Sequence, residues 1–121
     1  MIGSSGFLGK NLTIYLSSKG HVVIEFDLNN INEENLRIYD TPKLRDAVSS
    51  CDFIFFLAFD VGVSKFLQTF SKNFSFLSNN TKIISNTFAI INEFDKKFIF
   101  ISSYLTNDLF QNYGLLKYLG E

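Results

Sequence analysis

The sequence predicts an α/β fold built on a parallel sheet, and three observations predict it. Short apolar runs at Val22–Phe26, Asp52–Leu57 and Phe98–Ser102 alternate with stretches of helical period. A glycine-rich loop, Gly3–Gly9, precedes the first helical stretch. Asp27, Ala58 and Ser103 follow the apolar runs, at the edge where open α/β sheets take their ligands. The crossovers are expected to be right-handed.

In chain order, Lys10–Lys19 reads as a helix with Leu12, Tyr15 and Leu16 on one face and Gly20 as its stop. Val22–Phe26 is a β-branched strand ending at Asp27, and Asn29–Glu34 is polar loop. Leu36–Tyr39 is a weak strand, and Pro42–Ser49 a short helix with proline at an allowed early position. The continuous apolar pattern of Asp52–Leu57 is that of a parallel strand buried on both faces. Val63–Phe94 is helical over most of its length, with a break expected near Ser78–Asn80. Phe98–Ser102 is a second apolar strand, Asn107–Gln111 polar loop, and Tyr113–Gly120 the start of a helix.

Composition excludes several function classes. At 121 residues the chain holds one domain. Its net charge is −1 with scattered basic residues, which argues against a nucleic-acid footprint. The longest apolar run, Phe53–Phe59, is too short to span a bilayer. A cytoplasmic location is the default for a chain whose lone Cys51 forms no internal disulfide. Cys51 reads as a small core residue and His21, the only histidine, as part of a helix-to-strand turn. A histidine-based metal cluster or catalytic triad has little material, and no metal is expected.

Four features carry chemistry. In Gly3-Ser4-Ser5-Gly6-Phe7-Leu8-Gly9, glycines let the backbone turn sharply and approach a pyrophosphate, whose charge the N–H groups at the next helix N-terminus receive. The spacing is G-x-x-G-x-x-G rather than G-x-G-x-x-G, and a ligand-free turn is the alternative. Asp27 stands roughly 20 residues further on, where a carboxylate binds the ribose hydroxyls of NAD and repels the extra phosphate of NADP. Leu28-Asn29-Asn30 supplies no cation for that phosphate; the alternative is an aspartate that merely ends a strand. Tyr113 and Lys117, at i and i+4, share a helix face. A nearby ammonium stabilises a phenolate, which makes the tyrosine a general acid/base, although such a pair also occurs on exposed helices without a role. Ser102-Ser103 ends an apolar strand in hydroxyls, with turn chemistry as the alternative.

Taken in order, these residues resemble the extended short-chain dehydrogenases/reductases, the NAD-dependent epimerase/dehydratase family. Ile2 with the Gly3–Gly9 loop resembles their first strand and glycine loop. Leu57-Ala58 resembles the Leu-Ala ending their fourth strand, Asn86 the asparagine of the long helix that follows, and Ser102-Ser103 the pair after the fifth strand. Tyr113 and Lys117 match their Tyr-x-x-x-Lys. Three positions depart: about ten residues separate Ser103 from Tyr113, Leu116 replaces a common serine, and Phe59-Asp60 stands where a second small residue is common. The stretch Asp60–Phe66 looks like a subgroup found near bacterial surface-sugar pathways.

The resemblance implies a Rossmann-like, doubly wound parallel sheet and an NAD-dependent epimerase or dehydratase of a nucleotide sugar. Tyr113 would carry the proton, Lys117 would lower its pKa and bind the nicotinamide ribose, and Ser103 would orient the hydroxyl. Gly3, Ser4, Ser5, Gly6, Phe7, Leu8, Gly9, Asp27, Leu28, Leu57, Ala58 and Asn86, with Tyr113 and Lys117, would line the cofactor. A homodimer is an open expectation. The rivals are a non-catalytic NAD-binding module and a simple alcohol or ketone reductase. The family places its first strand between the second and fourth, whereas only Met1 and Ile2 precede Gly3. The expectation is therefore a fragment, with a truncated first strand and no C-terminal substrate lobe, poorly soluble and inactive alone, whose Val22–Phe26 and Asp52–Leu57 face a gap.

Overall fold

The computed structural model describes residues 1–27, 36–37, 41–60, 74–107 and 111–121. The elements are α1 (Phe7–Ser18), α2 (Pro42–Ser50), β1 (Phe53–Phe56), α3 (Phe74–Glu93), β2 (Lys97–Phe100), a 3-10 turn at Tyr104–Asn107, and α4 (Asn112–Leu119). β1 and β2 pair in parallel, Phe53 opposite Lys97 and Phe56 opposite Phe100. Where a doubly wound sheet was expected, the described residues hold this two-stranded parallel sheet, extended on one side by isolated bridges. Ile2 bridges both Phe26 and Phe56 in parallel sense. Its N–H donates to Phe55 O at 2.9 Å, and its carbonyl accepts Leu57 N–H at 2.8 Å. On the other flank, Phe26 N–H donates to Met1 O at 2.9 Å and Gly3 N–H to Phe26 O at 2.8 Å. Met1–Gly3 therefore runs between the 24–26 segment and β1.

Several sequence expectations need correction. Helix α1 begins at Phe7, not Lys10, so the second half of the glycine motif is helix; Gly6 is its N-cap. Tyr15, expected on the packed face, is 57% exposed. Val22–Phe26 makes only the Phe26 bridge and is not a regular strand, because its pairing with Met1–Gly3 is too short to form a ladder. The helix break expected at Ser78–Asn80 is absent. α3 runs unbroken for 20 residues, because Asn80 turns inward and donates to Phe76 O, four residues back, at 2.9 Å. β2 starts at Lys97, ends before Ile101, and keeps Phe98 and Ile99 39% and 44% exposed. Leu36 and Arg37 form a turn. Residues 38–39 of the expected weak strand, the 29–34 loop and the expected helical start at 63–73 lie outside the described residues.

The helix ends follow local rules. Gly20, at φ +85°, lets His21 N–H reach Leu16 O at 3.1 Å and Gly20 N–H reach Ser17 O at 3.0 Å, a Schellman closure. His21 thus serves the turn through its backbone. Pro42 opens α2 behind Thr41, where a missing N–H costs nothing. The core forms where the buried stripe of α3, including Ile83, Ile90 and Ile91, meets Leu44 and Val48 of α2 and Ile54 and Phe56 of β1. Cys51 packs against this cluster. Arg45 joins α2 to α3 by a two-pronged ion pair with Glu93, at 2.7 and 2.6 Å. At the amino end of β1 a cleft of about 530 Å³ separates Val22–Ile24 from Phe53–Phe55. No helix among the described residues is long and apolar enough to cross a membrane.

Candidate functional site

The site lies at the carboxyl end of the parallel segments. Gly3 takes φ +89°, and a β-carbon there would sit 2.6 Å from Ala58 N and 2.9 Å from Leu57 C. Only glycine lets the loop lie this flat against the end of β1. Gly9 is equally confined, since a β-carbon would overlap Gly3 O and lie 2.8 Å from Ser4 Cα. Gly6 is less constrained, with Gly3 O at 3.5 Å. The three glycines thus fold the loop back onto the first turn of α1, and Phe7 and Leu8 point outward, 89% and 49% exposed.

Ser5 N–H donates to Asp27 Oδ2 at 3.0 Å. Asp27 is therefore brought to the glycine loop, at the edge where the sequence places it. Ser4 is buried, and its hydroxyl has no hydrogen-bond partner among the described residues. No side chain caps the N-terminus of α1, where the helix dipole favours an anion. A close backbone approach, an uncapped helix end and an unpartnered buried hydroxyl together suit the pyrophosphate of a dinucleotide. Leu28 lies outside the described residues. Asn86 is buried on α3 and donates to Leu36 O at 2.9 Å, which ties the helix to the segment after Asp27.

Ser103 begins the 3-10 turn: its Oγ accepts Leu105 N–H at 3.2 Å and its carbonyl accepts Thr106 N–H at 3.1 Å. Ser102 bonds the Glu121 carboxylate. Tyr113 and Lys117 lie on α4, which packs against the 3-10 turn and α3. No hydrogen bond joins Ser103 to Tyr113 among the described residues. Lys117 is 5% exposed. Its Nζ donates to Ile101 O at 2.7 Å and sits 5.9 Å from the Tyr113 ring centroid. Burial pushes its pKa down to about 8.

Phe59, with Asp60 beside it, adjoins this pair; in the sequence both stand where the resembled family commonly has a second small residue. The Phe59 ring meets Tyr113 edge-on at 5.5 Å and lies 4.0 Å from Lys117 Nζ. Asp60 accepts Arg37 Nη2 at 2.9 Å and Asn79 Nδ2 at 3.1 Å. The fully buried Asn80 accepts Asp60 N–H at 2.7 Å and donates to Asp60 O at 3.1 Å. The signal that could have found this clamp is a pair of asparagines inside an otherwise apolar helical stripe. Among the described residues no group of His, Cys, Asp and Glu gathers as a metal site.

The family model described as NAD dependent epimerase/dehydratase matches residues 1–108. That span includes the glycine loop, Asp27, Ala58, Asn86 and Ser103, and stops before Tyr113 and Lys117. No curated protein and no solved structure matches the chain.

Proposed function

The chain belongs to the NAD dependent epimerase/dehydratase family, whose use of an NAD(P) coenzyme comes with membership, and from that premise we propose that it acts on a nucleotide sugar through NAD, by transient oxidation of one sugar hydroxyl. NAD, when bound, supplies the hydride acceptor. Tyr113 takes the hydroxyl proton through its phenol oxygen as the carbinol C–H bond is given up and a carbonyl forms. Lys117, one helical turn on, favours the phenolate by its charge. An ammonium has three N–H donors; one goes to Ile101 O, leaving two for the phenol and a ribose hydroxyl. Ser103 Oγ accepts from Leu105 N–H, and its own O–H is left to orient the substrate oxygen. When the keto sugar is reduced again on its other face, directly or after loss of a neighbouring group, Tyr113 would return its proton to the carbonyl oxygen, with the hydride that a bound coenzyme would supply. Asp27 favours NAD over NADP, since a carboxylate braced against the glycine loop repels an additional phosphate. Leu57, Ala58 and Asn86 border the cofactor in this reading.

The observation that carries the proposal is the Ala58–Phe59 step. Ala58 backs the glycine loop at Gly3, and the next residue touches both Tyr113 and Lys117. The residues proposed for phosphate binding and for proton transfer thus adjoin one another just beyond β1. The test is NAD titration of the chain, then incubation of a form completed by a substrate lobe with a panel of nucleoside-diphosphate sugars, with product formed and coenzyme regenerated. In that completed enzyme Tyr113→Phe is expected to abolish most turnover and keep NAD affinity; turnover that survives it removes the tyrosine from the mechanism. A second reading, a non-catalytic NAD-binding module, is favoured by the family match ending before Tyr113. NAD binding with no turnover of any sugar is the result that selects it.

A further inference from the structure

We infer that Phe59 is the positioning residue of the Tyr113–Lys117 pair, its ring face forming the seat that holds the lysine ammonium beside the tyrosine. The inference rests on the role proposed for that pair. Lys117 Nζ lies 4.0 Å from the Phe59 centroid and 4.9 Å from that of Phe100, both within the roughly 6 Å reach of a cation–π contact. The Phe59 ring is itself fixed. It meets Phe76 edge-on at 6.3 Å and Tyr113 at 5.5 Å. Its backbone is anchored one residue on, where Asn80 takes both the N–H and the carbonyl of Asp60.

The chemistry of such a seat differs from that of an ion pair. A carboxylate beside the lysine would hold the charge but occupy its N–H donors. An aromatic face favours the charged form and leaves those donors for ligands. Burial works against the charge and pushes the Lys117 pKa down to about 8, so an electron-rich face there has an opposing effect to supply. The neighbouring ionisable groups leave this contact to the ring. Tyr113 lies on the same helix, Asp60 beside Phe59 is held by Arg37 and Asn79, and Glu121 is bonded to Ser102.

The test is a pH titration of the Lys117 side chain in the 121-residue chain, read from lysine 13Cε resonances and assigned with Lys117→Arg. Phe59→Leu keeps an apolar side chain but removes the face. It is expected to lower the proton-binding constant of Lys117 about tenfold, whereas Phe59→Tyr restores the parent midpoint. A Phe59→Leu midpoint equal to the parent's overturns the inference, since bulk alone would then suffice. A midpoint that rises overturns it too, because the ring would then only have excluded water. Failure of NAD to bind, or of any sugar to turn over, would count against the proposed function and leave this comparison of midpoints standing.

Discussion

Replacing Gly9 by alanine sets two effects of opposite sign against each other. Gly9 is the third residue of α1, and alanine in a helix gains up to ~1 kcal/mol over glycine. Against this, the new methyl would overlap Gly3 O and come within 2.8 Å of Ser4 Cα and Ser4 O. All three are backbone atoms, so no side chain can rotate out of the way. The loop cannot retreat easily either, because Gly3 N–H is bonded to Phe26 O at 2.8 Å. Overpacking of this kind costs about 1–3 kcal/mol. Because the overlapped atom is backbone, the cost lies at the upper end of that range and the clash wins, with a net loss of about 2 kcal/mol, or a urea midpoint lower by roughly 1 M at the slopes usual for small proteins. NAD affinity should fall as well, since the displaced atoms shape the pyrophosphate edge. Gly6→Ala is the control: its methyl meets only Gly3 O, at an ordinary 3.5 Å. Urea unfolding and NAD titration of both variants check this. A Gly9→Ala chain at least as stable as the parent would refute the reasoning that close approach, rather than turn flexibility, requires glycine there.

Asn80→Ala strips a buried partner from the N–H and carbonyl of Asp60 and from Phe76 O. It should cost about 3 kcal/mol, whereas Asn79→Ala, which loses one bond to Asp60 Oδ2, should cost about 1 kcal/mol or less; urea unfolding separates the two. Asp27→Ala should weaken NAD and narrow its margin over NADP, and titration of both coenzymes tests it; a parent chain that binds NADP as tightly as NAD sinks the assignment. Lys117 has a folded pKa of about 8 against 10.5 in its unperturbed state. Between those values the unfolded chain binds more protons than the folded one, so stability rises with pH across that window. Lys117→Met should remove that rise, and equal slopes in urea midpoint against pH for the two chains would show that the buried ammonium costs nothing.

What could be read in the sequence was local, and what could not depended on distant partners. The glycine loop was legible because a positive φ at Gly3 and the close approach of α1 to the loop backbone at Gly9 demand residues without a side chain. The spacing of Tyr113 and Lys117 was legible because a helix fixes i and i+4 to one face. The surroundings of Lys117 were not, since Phe59, Phe100 and Ile101 come from separate segments. Asn80 was read as a helix break because asparagine competes for backbone hydrogen bonds when its own chain is all it has. Here its further partner is the Asp60 backbone, 20 residues earlier, so the side chain that would end a helix in isolation fastens this one to the segment that follows β1. Asn86 gives the same lesson: the residue type was legible, its bond to Leu36 O, 50 residues away, was not.

Asn80 and Asn79 also explain why Phe59 and Asp60 stand out in the sequence only as departures. A small residue at position 59 would leave Lys117 with one ring fewer beside it, so a large aromatic there needs a backbone held in one place. Asn80 supplies that constraint through Asp60, and Arg37 and Asn79 engage the Asp60 carboxylate. Read separately, Phe59, Asp60 and Asn80 are an odd aromatic, an odd acid and a misplaced amide. Read together they are one device, in which a buried amide fixes a strand end and the strand end presents a ring to the lysine. The dependence runs in one direction: loss of Asn80 should disturb the Lys117 midpoint through Phe59, while loss of Phe59 should leave the Asn80–Asp60 bonds in place.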